Sequence, residues 1–219
     1  MTLHIASGEC CAADLKKRLP NAEILPFNEA MCEGETALPV FGEEFCALRA
    51  AAYNVSREEY ESKSPRAKLA EVHGYKTLEL YFDEDMFCAV NCLTLLAYLE
   101  QESYGGDIYY NRVPQDGSAK VLTREKINVC GALKAFETVL IRREKISTGI
   151  PQYDKVLQMY LEYVKPDNEI VKYAEKRLAA PRYELIRDML TEFRAYGLSD
   201  TAAEKFIARA QAKTEHRGN

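Results

Sequence analysis

Five carboxylates, Glu9, Glu29, Glu33, Asp83 and Asp85, fall just after three short apolar runs of the chain. Acids delivered from separate strand ends could hold Mg²⁺ through one or two carboxylates and waters. They could equally form a general acid and base with separated pKa values. On this reading Asp85, Asp83 and Glu29 are the candidate catalytic residues, and Glu9, Asp83 and Asp85 the candidate metal ligands. The plainer alternative is that Asp83-Glu84-Asp85 caps the helix that follows, where acids complement the helix dipole.

The second feature is the segment Ser7-Gly8-Glu9-Cys10-Cys11, which leads from an apolar run into a helical pattern. Free N–H groups and the dipole at such a junction favour an anion, either a phosphate or a carboxylate. A single glycine makes neither a P-loop nor a GxGxxG, and Glu9 could itself occupy the positive end. Cys10 and Cys11 stand where the dipole would stabilise a thiolate. The three histidines, 4, 73 and 216, supply no placed base for it. The candidate ligand-binding set is therefore Ser7, Gly8, Glu9, Cys10 and Cys11, with Glu33 and Asn91. Cys88 and Cys92, one helical turn apart, read as helix core rather than as metal ligands.

The elements that must position these residues follow from periodicity. Apolar runs at 3–6, 23–27, 77–82 and 107–113 read as buried strands. Helical patterns follow the first (Ala12, Leu15, Leu19) and the third (Phe87, Val90, Leu93, Leu96). Strand, helix, strand with apolar strands predicts a parallel sheet covered on both faces, with right-handed crossovers. A connection at about 35–75 holds a helix over Glu43–Tyr53 and another opened by the capping pattern Ser56-Arg57-Glu58-Glu59. From about Val121 the pattern turns helical. One helix is expected from Thr123 through Leu140, and others open at Pro151, Asp167 or Asn168, Pro181 and Ser199. Gly197 is expected as a left-handed stop, and the tail at 213–219 is expected to fray.

The predicted fold is α/β. A three-layer, Rossmann-like parallel domain spans 1–120, with a helical insertion at about 35–75, and an all-helical region spans 121–219. With strand order 2-1-3-4, the order reverses between the first and third strands, and ligands sit beyond the carboxyl ends at such a point. The turns at 7–11 and 83–86 would then face each other, with Glu29 and Glu33 delivered to the same edge.

Bulk properties narrow the partners. The 219 residues carry a net charge of −5, without the basic stripe of a general nucleic-acid binder or a polybasic patch for anionic lipid. No apolar stretch is long enough to span a bilayer, and the start lacks the features of a signal peptide. Seven cysteines, an odd number with no CxxC pair, suit a reducing compartment, so a cytoplasmic setting is expected. Tyr153, Tyr160 and Tyr163 pack with the hydroxyl at the rim or mark a partner face, which leaves a homo-oligomer open.

Four stretches, in order, resemble bacterial proteins carrying domain of unknown function 1835. They are His4-Ile5-Ala6-Ser7-Gly8-Glu9-Cys10-Cys11-Ala12-Ala13-Asp14-Leu15, Phe27-Asn28-Glu29-Ala30-Met31-Cys32-Glu33-Gly34, Leu80-Tyr81-Phe82-Asp83-Glu84-Asp85-Met86-Phe87-Cys88-Ala89-Val90-Asn91, and Gly197-Leu198-Ser199. The resemblance implies a fold and a bacterial origin, and no activity. Glu9 and Cys10 stand where that family has Asp and Ser, Asn28 where it has Arg, and Glu84 where it has His. If the family acts through that His or Ser, catalysis by this chain is in doubt.

Three functions remain. The first is binding of a small anionic or phosphorylated ligand at the ends of strands 1 and 3, with metal-assisted hydrolase or transferase chemistry. The second is a non-catalytic ligand-sensing or protein-interaction module. Nucleic-acid binding through the last helices ranks third, because Arg209, Lys213 and Arg217 neutralise few phosphates.

Overall fold

The computed structural model describes residues 1–218, so Asn219 at the end of the expected tail lies outside the described residues, as does the side chain of Arg217. The first half alternates strand and helix: β1 (Thr2–Ala6), α1 (Glu9–Arg18), β2 (Glu23–Pro26), α2 (Glu43–Tyr53), α3 (Arg57–Lys63), α4 (Arg66–Leu69), β3 (Thr77–Phe82), α5 (Met86–Gln101) and β4 (Asp107–Arg112). The remainder comprises β5 (Thr123–Ile127), α6 (Ala132–Phe136), α7 (Pro151–Tyr163), α8 (Glu169–Glu175), α9 (Arg182–Glu192) and α10 (Asp200–Gly218).

The sheet order is β2-β1-β3-β4-β5. β2, β1, β3 and β4 run parallel, with Ile5 opposite Leu25 and Leu80, and Leu80 opposite Tyr110. The order therefore reverses between β1 and β3, which is the arrangement that the site at the carboxyl edge requires. The strands alternate rather than being apolar throughout. Leu3, Ile5, Leu78, Leu80, Phe82 and Ile108 enter the large core under α5. The opposite face packs Ala6 and Tyr81 against Cys11, Ala12 and Leu15 of α1. Further along that second face lies a polar chain. Glu79 accepts from Asn111 at 2.8 Å and from Arg124 at 2.7 Å.

β5 corrects the expected helix from Thr123. Its residues pair antiparallel with β4, Asn111 opposite Arg124 and Tyr109 opposite Lys126. The apolar spacing that suggested a helix comes from Ile127 and from α6 together, which are separate elements. Cross-strand contacts override the helix-forming residues: Arg124 lies 3.6 Å from the Tyr109 ring centroid and Lys126 pairs with Asp107 at 2.6 Å. A charged edge strand also protects the sheet from further pairing. The expected boundary near 120 thus falls between two strands of one sheet, and the large core includes residues from Leu3 to Ala210.

Twelve of the sixteen residues of α5 are buried, which requires cover on both sides. The sheet supplies one side, and α6 and α7 the other. α2 joins this core through Phe45, which packs with Phe41, itself 5.2 Å from the Tyr98 ring of α5. The capping signals hold: Ser56 Oγ accepts from Glu59 N at 3.1 Å and Asn168 Oδ1 from Val171 N at 2.9 Å. After β5 every described element is helical. No helix among the described residues is long and apolar enough to cross a membrane.

Candidate functional site

The β3–α5 junction carries the most perturbed acid. Asp85 is the N-cap of α5, and its Oδ1 accepts from Cys88 N at 2.7 Å. Asp83 Oδ1 accepts from Asp85 N at 2.9 Å, and Cys88 Sγ donates to Asp83 Oδ2 at 3.3 Å. Capping is therefore what these bonds accomplish locally. Burial first, and the adjacent Asp83 charge second, push the Asp85 carboxyl up to about 7. Such a group exchanges a proton near neutral pH. The Cys88 thiol is pushed far up by burial and stays protonated.

Asp83, Asp85 and Cys88 offer one ligand atom each within 4.8 Å of one another. The cluster thus contains Cys88 and not Glu9. A thiol beside two carboxylates suits Mg²⁺, which takes oxygen ligands, less well than a borderline-soft ion.

Gly197 closes over this junction. Its φ of 68° is left-handed, as expected for a helix stop, and a Cβ there would lie 2.5 Å from Asp85 Cγ. Only glycine allows the chain to turn into α10 while touching the carboxylate. Ser199 then starts α10, its Oγ accepting from Ala202 N at 3.1 Å.

The β2–α2 connection is anchored from below. Glu29 and Arg49 form a fully buried pair 3.6 Å apart. Glu29 also accepts from Tyr60 at 2.7 Å and Tyr53 at 3.3 Å. Arg49 donates to the carbonyls of Glu33 and Ala30. Burial pushes Glu29 up, against the pull of these partners. Asn91 is likewise occupied: its Nδ2 donates to Glu29 O and its Oδ1 accepts from Met31 N at 3.0 Å. Glu29 and Asn91 thus hold the backbone of 29–33 in place, and of the candidates Glu29, Glu33 and Asn91 it is Glu33 that lines an open cleft.

The β1–α1 junction does lie beside β3. Ser7 N donates to Tyr81 O at 2.9 Å, and the Asp83 charge reaches Cys11. Glu9 is exposed and accepts from Asn28 at 2.6 Å. Gly8, the N-cap, has an extended backbone and receives no side-chain cap. Cys11 is buried, and burial pushes its thiol up to about 11, outweighing hydrogen bonds with Ser7. The dipole does not prevail there. Cys10 is exposed and abuts the β4–β5 connection, since a Cβ on Gly117 would lie 3.2 Å from its own Cβ.

The open space lies on the α5 side of this edge. A cavity of about 350 Å³ is bounded by Ala30, Cys32 and Glu33 after β2, by Met86 and Phe87 at the start of α5, and by the stretch 197–205. None of residues 7–11 lines it. Tyr163 and Lys205 reach Glu33 from α7 and α10, donating to its two oxygens at 3.1 Å each. Sequence reasoning marked Tyr163 only as a rim or partner-face residue and missed Lys205, because contacts across 130 and 172 positions leave no local pattern. Gly197 was found only as a helix stop, although its place in the matched stretches hinted at more.

Comparison with protein-family models, curated proteins and solved structures gave no match. The fold and the site therefore define the class no further than a mostly parallel α/β protein with a cleft at the carboxyl edge of its sheet.

Proposed function

We infer that this chain binds a small molecule in the cleft between the β2–α2 connection, the start of α5 and the stretch 197–205. The observation that carries the reading is the cavity of about 350 Å³ at the carboxyl edge. Open parallel sheets of the Rossmann-like kind bind ligands beyond this edge, where strand order reverses. Its lining is mostly apolar and aromatic, with Glu33, Lys205 and Tyr163 as convergent polar groups, which is the composition of small-molecule sites. Asp85 does not itself line the cleft; it lies directly behind Gly197, so a bound molecule meets it through that turn.

Kinship with proteins carrying domain of unknown function 1835, and a cytoplasmic setting, belong to the same proposal. Three of the four matched stretches, at 27–34, 80–91 and 197–199, contribute lining residues to this one cleft. A sensing role without catalysis is the second reading. It is favoured by Asp85, whose hydrogen bonds already serve as a cap.

A thermal-shift screen of small molecules against the wild-type chain and Ala202→Phe tests the reading. Ala202 lines the cleft, and a phenyl group there takes up part of its space. A compound that stabilises the wild type should leave this variant unshifted. Equal shifts in both would refute the assignment.

A further inference from the structure

A second cavity, of about 240 Å³, adjoins the first and shares Cys32, Glu33, Tyr163 and Lys205 with it. Its walls differ sharply in charge. Arg143, Lys205 and Arg209 line it together with Glu33 and Glu35, whereas the first cavity contains one cation, Lys205.

Two of these cations are set in place by the fold. Arg209 Nη2 donates to the carbonyls of Lys165 and Pro166 at 3.0 Å each, holding α10 to the end of α7. Arg143 lies over the Tyr160 ring, 5.1 Å from its centroid, and has a left-handed φ of 58°. Its Nη2 makes only long contacts, 3.4 Å to Gly34 O and 3.5 Å to Glu35. Its Nη1 is buried with no hydrogen-bond partner. The Arg143 side chain keeps 26% of its surface exposed, so the guanidinium edge that faces the cavity stays open to an incoming acceptor.

Three cations face two acids in this lining, which leaves one positive charge in excess. Glu33 is matched by Lys205 and Tyr163. Glu35 is 72% exposed and pairs with Arg143 at 3.5 Å, a solvent-screened ion pair that an incoming dianion can displace. We propose that this second cavity takes the phosphate group of a small phosphorylated molecule whose apolar body occupies the first cavity. Two forked guanidinium groups and an ammonium offer more donors than a single carboxylate accepts, and suit a multi-oxygen dianion. The placement of the body rests on the function inferred above. The phosphate site stands on the second cavity alone.

The test uses pyrophosphate as the probe, titrated calorimetrically into the full chain at low ionic strength. Saturable binding is expected, weakened at least tenfold in Arg143→Gln and in Lys205→Gln, and partly restored in Arg143→Lys. Lys205 is 55% exposed, so its variant folds even if Arg143→Gln does not. Ala202→Phe should bind pyrophosphate like the wild type while losing any larger ligand, which separates failure of this proposal from failure of the cleft assignment. Three results would overturn it: no saturable pyrophosphate binding, equal affinity in the folded Lys205→Gln variant, or malonate bound in preference to pyrophosphate.

Discussion

Two strand-to-helix junctions leave neighbouring strands on the same sheet edge, and they end up chemically opposite. Both lead into a helix within three residues and both carry an acid and cysteines. After β1, Glu9 is exposed and tied to Asn28, and Gly8 has no atom closer than Asn28 Oδ1 at 4.0 Å to a Cβ added there. After β3, Asp85 is 8% exposed, with Gly197 pressed on its carboxylate. Topology places the two turns side by side, but it does not decide which one becomes reactive. Cover by the C-terminal helices decides that, because desolvation moves a carboxyl much further than its place at a helix start does.

The glycines give the largest contrast. Gly197→Ala should destabilise the fold by about 4 kcal/mol, combining the left-handed backbone penalty with overpacking against Asp85. Gly8→Ala, at an extended and uncrowded position, should stay within about 0.5 kcal/mol of wild type. Chemical denaturation of both variants measures the difference. Similar losses in the two would show that the junctions are alike.

The carboxylates sharpen the same contrast through pH. Asp85 has a folded pKa of about 7, raised from its ordinary 3.8. Between those values the folded chain holds a proton that the unfolded chain has released, so this group's contribution makes stability fall as pH rises through that window. Asp85→Asn keeps the capping oxygen and removes the charge. It should match wild type near pH 4 and exceed it by about 2 kcal/mol at pH 8. Glu9→Gln should leave stability unchanged across that range, within about 0.5 kcal/mol. Parallel melting curves against pH read both effects.

Much of this arrangement was legible in the residues. The alternation of apolar runs and helical spacing yields β1 to β4 and α5, because each element buries a stripe that its own sequence displays, whereas their order in the sheet was a supposition. Asp85 was singled out correctly as the end of a strand and the start of a helix, and Gly197 as a left-handed stop. Their contact was not legible, since it is made across more than a hundred residues by helix packing. β5 misled for a related reason: Thr123–Ile127 is charged, and only Asn111, Tyr109 and Asp107 on β4 make it a strand. Glu29 looked reactive because it follows β2 closely. Its partner Arg49, twenty residues on within α2, turns it into an internal anchor.

The most direct test of the central claim is amide chemical-shift mapping on the labelled chain with a compound that stabilises it. The account predicts that perturbations centre on Phe87, Tyr163 and residues 197–205, with the Asp85 backbone amide among those that respond. Perturbations confined to residues 7–11, leaving the Gly197 turn unmoved, would contradict it.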